Sequence, residues 1–237
     1  MEEKQNKKID LLPREEERYK PVEAKVHCRF CGKTSVMKLR ACVNVSLHPE
    51  EKELVLNGSF FQYECPSCKE KLQVVYPCLY DDMSRALMIY LLPDETEKAL
   101  AELNSQQHTW SPEMLKAAMV CTMRAVRTPN DLCEKIKIAD AELDDRYVEL
   151  TKAFVFAQFM KQKPDFKAAQ VLYERQNGKD GFVMISKEGK TFWAQFPDGL
   201  YDEVVRMFSD RIPKKKTTDY ELIDANWTAN ILSKLKE

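Results

Sequence analysis

Apolar and polar residues alternate with a period of two through much of the first third of the chain. TSVMKLRACVNV (34–45) carries that alternation, and VEAKVH (22–27), SFFQYEC (59–65) and KLQVVY (71–76) read as strands beside it. Between them SLHPEEKELVLNG (46–58) sets Pro49 at a helix start, acids in the first turn and Gly58 just past the end, the polarity of a short helix. RALMIYLLP (85–93) reads as one more strand and DETEKALAELNSQ (94–106) as a polar helix or linker. Beyond it MVCTMRAVR predicts a strand, and TPNDLCEKIKIAD (128–140) a helix that begins with a cap and Pro129. AELDDRYVELTKAFVFAQFM (141–160) spaces Leu143, Tyr147, Leu150, Phe154 and Ala157 at helical intervals, predicting an amphipathic helix with that wide buried face. AAQVLYER, GFVMIS and TFWAQF, joined by QNGKDG and KEGK, predict an antiparallel meander, and helices follow at GLYDEVVRMF and DANWTANILSKL, the latter capped by Asp224 and aligning Trp227, Ile231 and Leu235.

The pattern gives an α+β class: a zinc-ribbon-like β module with a short helical insertion, followed by a mixed helical and antiparallel-β domain. We expect a flexible N-terminal arm over 1–20, the ribbon module over 21–92 and the second domain over 93–237. Lys and Arg total 37 against 38 Asp and Glu, and the parts before and after residue 92 carry +1 and −2, so no global field draws the chain to nucleic acid or to an anionic membrane. The charged start MEEKQNKKIDLL is no signal peptide, and the longest apolar run, Ala86 to Leu92, cannot span a bilayer. The expected setting is the reducing cytoplasm.

Chemistry concentrates in four of the eight cysteines. Cys28 and Cys31 are separated by two residues, as are Cys65 and Cys68, and each spacing lets one tight turn aim two thiolates at a single ion. Gly32 supplies the left-handed residue such a turn favours, and Pro66 stiffens the other. Four thiolates select Zn²⁺, with iron possible in the same geometry, and their closed shell leaves no position for water or substrate. The expected cofactor is therefore one structural zinc held by Cys28, Cys31, Cys65 and Cys68.

The segments CPSC (65–68), VNVSLHPEEKELVLNGSFFQYECPSC, PCLYDD and TPNDLCEKIKIADAELDDRYVEL resemble the CpXC-type domain family of bacterial and archaeal proteins, which has paired Cys-Pro-x-Cys motifs and no assigned activity. The resemblance covers roughly residues 25 to 160 and implies the same four ligands and a bacterial or archaeal source. CRFCGK lacks the family's proline and CPSCKE its glycine.

The remaining candidates read as structural. Cys42, Cys78, Cys121 and Cys133 fit buried thiols. His27 adjoins Cys28 and should face the other way on a strand, and His48 sits beside a helix start. With only three histidines and no serine elbow, a hydrolytic triad has little material. Asp144, Asp145 and Glu149, and Asp81 and Asp82, fit solvated helix starts and turns. EGKT lacks the earlier glycine of a phosphate loop, and PKKKTT is a loop. No catalytic or cofactor-binding residue is assigned beyond the metal set. The leading function is a protein-binding or scaffolding module, without strong nucleic-acid binding and without a membrane, and the alternative is an enzyme or nucleic-acid-associated regulator acting through the second domain.

Overall fold

A computed structural model describes residues 20–213 and 217–234. The fold is α+β, with 39% helix and 28% strand. Residues 1–19 of the expected N-terminal arm, the centre of PKKKTT and Leu235 lie outside the described residues.

Two small ribbons open the fold. β1 (Val22–His27) pairs antiparallel with β2 (Thr34–Leu39), from Val22↔Leu39 to His27↔Thr34. β4 (Gln62–Glu64) pairs with β5 (Lys71–Gln73) in a second, separate two-stranded sheet. The long alternating run 34–45 is not one strand: the chain breaks at Arg40 and Ala41, and β3 (Cys42–Asn44) joins a different sheet. Helix α1 (Glu50–Leu56) follows, and Gly58, at φ 77°, turns the chain into the single helical turn Ser59–Phe61 before β4.

The central sheet has the order β3-β6-β7-β8, with β6 (Cys78–Asp82), β7 (Leu87–Leu91) and β8 (Thr122–Val126). β6 and β7 are antiparallel, whereas β3 and β8 run parallel to their neighbours. β6 was not expected from periodicity, because its apolar residues are too few to alternate and two aspartates close it. The sheet buries both faces, which explains the unbroken apolar run through β7. Tyr80, Ile89 and Leu91 pack with Val43, Phe61, Leu132 and Ile136 on one face. Leu79, Tyr90, Met123 and Ala125 pack with Leu103 and Tyr220 on the other. The boundary expected after Leu92 thus falls between two strands of one sheet. α2 (Thr96–Ser105) covers the second face, anchored where Thr96 Oγ1 donates to the Leu92 carbonyl at 2.7 Å. The stretch expected as one strand at MVCTMRAVR instead divides into the end of α3 (Pro112–Val120) and β8.

α4 (Pro129–Asp140) starts with a full capping box, Thr128 and Asp131 each accepting the other's backbone N–H. α5 (Asp145–Gln162) follows and packs between the meander β9 (Ala168–Gln176), β10 (Lys179–Ser186), β11 (Thr191–Gln195) and the helices α6 (Leu200–Phe208) and α7 (Ala225–Ser233). Asn177 and Gly178, both at positive φ, make the two-residue turn of the first meander hairpin. Because α5 is sandwiched, its buried residues do not form the stripe that spacing predicts. Val148 and Val155 enter the meander core, Leu150 enters the core with Val204, Phe208 and Trp227, and Phe154 is left more than a third exposed. The third direction of α5 is charged.

That charged face holds β8, α4 and α5 together. Arg124, 5% exposed, makes a bidentate pair with Asp145 (2.8 and 2.9 Å), and Lys135 Nζ lies 2.8 Å from the same carboxylate. Residues around Glu221 run beside β8, so that Glu221 Oε2 accepts from Arg124 at 2.9 Å. Burial alone would raise the Asp145 pKa, but Arg124 and Lys135 outweigh it and hold the carboxyl far below the usual carboxylate range. A depressed native pKa contributes stability above the unfolded value of about 4 that is lost as pH falls. Asp145→Asn leaves two buried cations short of their partner and should cost about 3 to 5 kcal/mol in urea unfolding at neutral pH. It should also flatten the loss of stability below about pH 4. An unchanged urea midpoint would show that the pair does not support the fold.

Candidate metal centre

Both knuckles fold by the same backbone rule. In the first, Cys28 N–H donates to Lys33 O (2.9 Å) and Gly32 N–H to Cys28 O (2.8 Å). In the second, Cys65 N–H donates to Glu70 O (2.9 Å) and Lys69 N–H to Cys65 O (2.8 Å). Each is a tight turn at the end of a ribbon, with its fifth residue left-handed: Gly32 at φ 70° and Lys69 at φ 63°. Lys69 therefore keeps the knuckle conformation that Gly32 adopts, at the steric cost of a Cβ in that region.

The turns bring the four sulfurs together. All four Sγ atoms lie within 4.8 Å of one another, with Cys28 and Cys68 3.6 Å apart and Cys31 and Cys65 3.7 Å apart. A tetrahedral ion with metal–sulfur bonds of about 2.3 Å spaces its ligands by about 3.8 Å, so the donor set fits one tetrahedral ion. The separations are far too long for disulfides, and all eight cysteines are free thiols. Cys28 and Cys65 are sealed from solvent, and Leu72, Tyr63 and Val74 pack around the sulfurs. The N–H groups of Cys68 and Ser67 point at Cys65 and bring its pKa down to about 6, favouring the thiolate a metal requires. At Cys68 the Glu70 N–H lowers the pKa, but burial and the other thiols outweigh it and push it up to about 12, so its proton leaves when an ion arrives.

The other sequence candidates stay apart from this cluster. Cys42, Cys78 and Cys121 are buried in the two faces of the central sheet, and burial pushes the Cys78 thiol far up, which makes it inert. Cys133 donates to the Val55 carbonyl at 3.2 Å. His27 points outward, toward Thr34, and His48 lies beside Glu50 at the start of α1. Asp82 is buried and accepts from Ser84 Oγ (2.5 Å), closing the turn after β6. EGKT is the turn between β10 and β11, with Gly189 at φ 79°. Asp144 caps α5 by accepting from Arg146 N–H, whereas Asp145 and Glu149 are buried and paired, not solvated. Their partners Arg124, Lys135 and Lys152 were not singled out in the sequence; the signal is a lone cation inside an apolar-patterned segment.

A family model described as CpXC protein matches residues 26–152, from the end of β1 into α5. No curated protein and no solved structure matches the chain. Replacing Lys69 by Gly should relieve about 1 to 2 kcal/mol of left-handed strain while restoring some unfolded-chain entropy, for a net gain of about 0.5 to 1 kcal/mol. Thermal unfolding of the metal-loaded chain measures it, and a loss of stability would mean that the lysine side chain outweighs the strain.

Proposed function

The chain belongs to the CpXC protein family, and on that premise we propose that its four knuckle cysteines hold one structural Zn²⁺ and that the ribbon they rigidify docks onto a protein partner in the cytoplasm. The observation that carries the reading is the all-sulfur tetrahedron. Four thiolates close the coordination shell, so the ion has no site for water or substrate and acts as a crosslink, not as a Lewis acid. A reducing compartment keeps such thiols available.

What the ion rigidifies is a surface of binding type. Phe30 stands 54% exposed at the tip of the first knuckle, with the Arg29 guanidinium over its ring at 5.0 Å. The outward face of the β1–β2 ribbon adds Lys25, Val36 and Lys38, and Val36 is 58% exposed. An aromatic and an arginine held on a rigid turn are the residue types that anchor protein interfaces. The chain's overall charge balance gives little of the phosphate neutralisation that general nucleic-acid binding requires.

A photo-crosslinking residue placed at position 30 of the intact chain in its host should give discrete protein adducts, absent when the crosslinker sits at exposed Asp198. Phe30→Ser should then weaken the isolated complex by about 2 kcal/mol or more, the loss of an anchor residue. Adducts with nucleic acid in place of protein, or equal adducts at both positions, would refute the reading.

A further inference from the structure

Six charged side chains lie buried where β8, α4 and α5 meet, and their charges balance. Arg124, Lys135 and Lys152 answer Glu134, Asp145 and Glu149, and none of the six is more than 11% exposed. Each has a partner: Asp145 takes Arg124 and Lys135, and Lys152 Nζ lies 2.8 Å from both Glu134 and Glu149. Backbone groups complete the layer, since Tyr173 N–H donates to Glu134 at 2.5 Å and Lys135 Nζ donates to the Ile223 carbonyl at 2.9 Å. Glu221, which also pairs with Arg124, is 37% exposed and keeps its contact with water.

Four of these groups, Glu134, Lys135, Glu149 and Lys152, line a cavity of about 730 Å³ bounded by α4, α5, β9 and α7, within the range of small-molecule sites, about 300 to 1,000 Å³. The other charged residues of its wall are paired as well: Arg127 donates to Asp224 at 2.8 Å, and Asp131 accepts the Thr128 N–H in the cap of α4. Ala153, Phe156, Ala157 and Met160 of α5 and Val171 of β9 supply an apolar wall. A polar group stands unused on it. Thr228, in the first turn of α7, is 4% exposed, and its Oγ1 has no hydrogen-bond partner among the described residues. The helix cap does not engage that hydroxyl: the Asp224 carboxylate accepts from the Asn226 and Trp227 N–H groups, and its carbonyl takes the Thr228 N–H at 2.9 Å. A buried hydroxyl left without a partner is destabilising, and a ligand that bonds it recovers the loss.

We propose that this cavity binds a small neutral alcohol, its apolar stem lying on Phe156 and Met160 and its one hydroxyl bonded to Thr228 Oγ1. The balanced charge decides that the ligand is uncharged, because a cation or an anion would give up its hydration without meeting a free countercharge. The apolar wall decides the stem, which gains by leaving water and by contact with the Phe156 ring and the Met160 thioether. A hydroxyl suits the single unused group because it can both donate to and accept from the threonine.

The test is calorimetric titration of the full chain with 2-phenylethanol, beside ethylbenzene, 2-phenylethylamine and 3-phenylpropionate as its apolar, cationic and anionic counterparts. The alcohol should bind about tenfold or more tightly than either ion, which must be desolvated without a countercharge. Thr228→Val removes the unpartnered hydroxyl at nearly constant shape, so the ligand-free protein should be as thermally stable as before or more so. In that variant the affinity for 2-phenylethanol relative to ethylbenzene should nonetheless fall about 2- to 13-fold, the worth of one hydrogen bond. Binding of the amine or the acid as tightly as the alcohol, no binding of the alcohol at millimolar concentration, or an alcohol-to-ethylbenzene ratio unmoved by Thr228→Val would each overturn the proposal.

Discussion

Two ribbons of two strands each have to be held against one another with almost no core of their own. A two-stranded hairpin is marginal in water, and here β1–β2 and β4–β5 belong to separate sheets that share no strand pairing. Around the knuckles the buried residues are two of the cysteines and Leu72, with Tyr63 and Val74 packed at the edge. So small an apolar cluster cannot offset the ordering of two loops. Four thiolates on one ion can, since a structural zinc contributes roughly 10 to 16 kcal/mol of apparent binding energy near neutral pH. An ion bound there would therefore be a folding element, and the exposed Phe30 turn would depend on it for rigidity.

The rest of the chain is held by different means. Leu39, Ala24 and Met37 attach the first ribbon to the core of the central sheet, and Val74 N–H donates to Phe61 O at 2.8 Å from the second. From that sheet onward, ordinary apolar packing on both faces carries the load, until α4 and α5 turn charged residues inward. Buried ion pairs of this kind add little net stability over apolar residues of the same shape. Their effect is positional: Arg124, Asp145 and Lys135 fix the angle between β8, α4 and α5, and Lys152 holds Glu134 and Glu149 at the mouth of a cavity.

The convergence of Cys28, Cys31, Cys65 and Cys68 was legible, because cysteine spacing is local: each knuckle is built from six consecutive residues. The helix starts at Thr128 and Asp224 and the turn at Asn177–Gly178 were legible for the same reason. What was hidden depends on tertiary surroundings. β6 is central in its sheet, yet its sequence CLYDD shows no period. α5 has apolar residues toward two neighbours, so a single-stripe reading misplaces Phe154 and misses Val148 and Val155. Asp145 and Glu149 look like solvated helix-start acids until β8 and α4 supply Arg124, Lys135 and Glu134 from residues distant in sequence.

The most direct measurement is the metal content and cobalt spectrum of the purified full-length chain. The purified chain should carry one zinc or iron, and after exchange for Co²⁺ it should show the intense visible bands of a tetrahedral all-thiolate site. In Cys65→Ser both should fall away together, with the segment 59–76 becoming open to protease. A native chain that holds no stoichiometric metal while both ribbons resist protease, or a Cys65→Ser variant that keeps its full metal content, would contradict a four-thiolate crosslink.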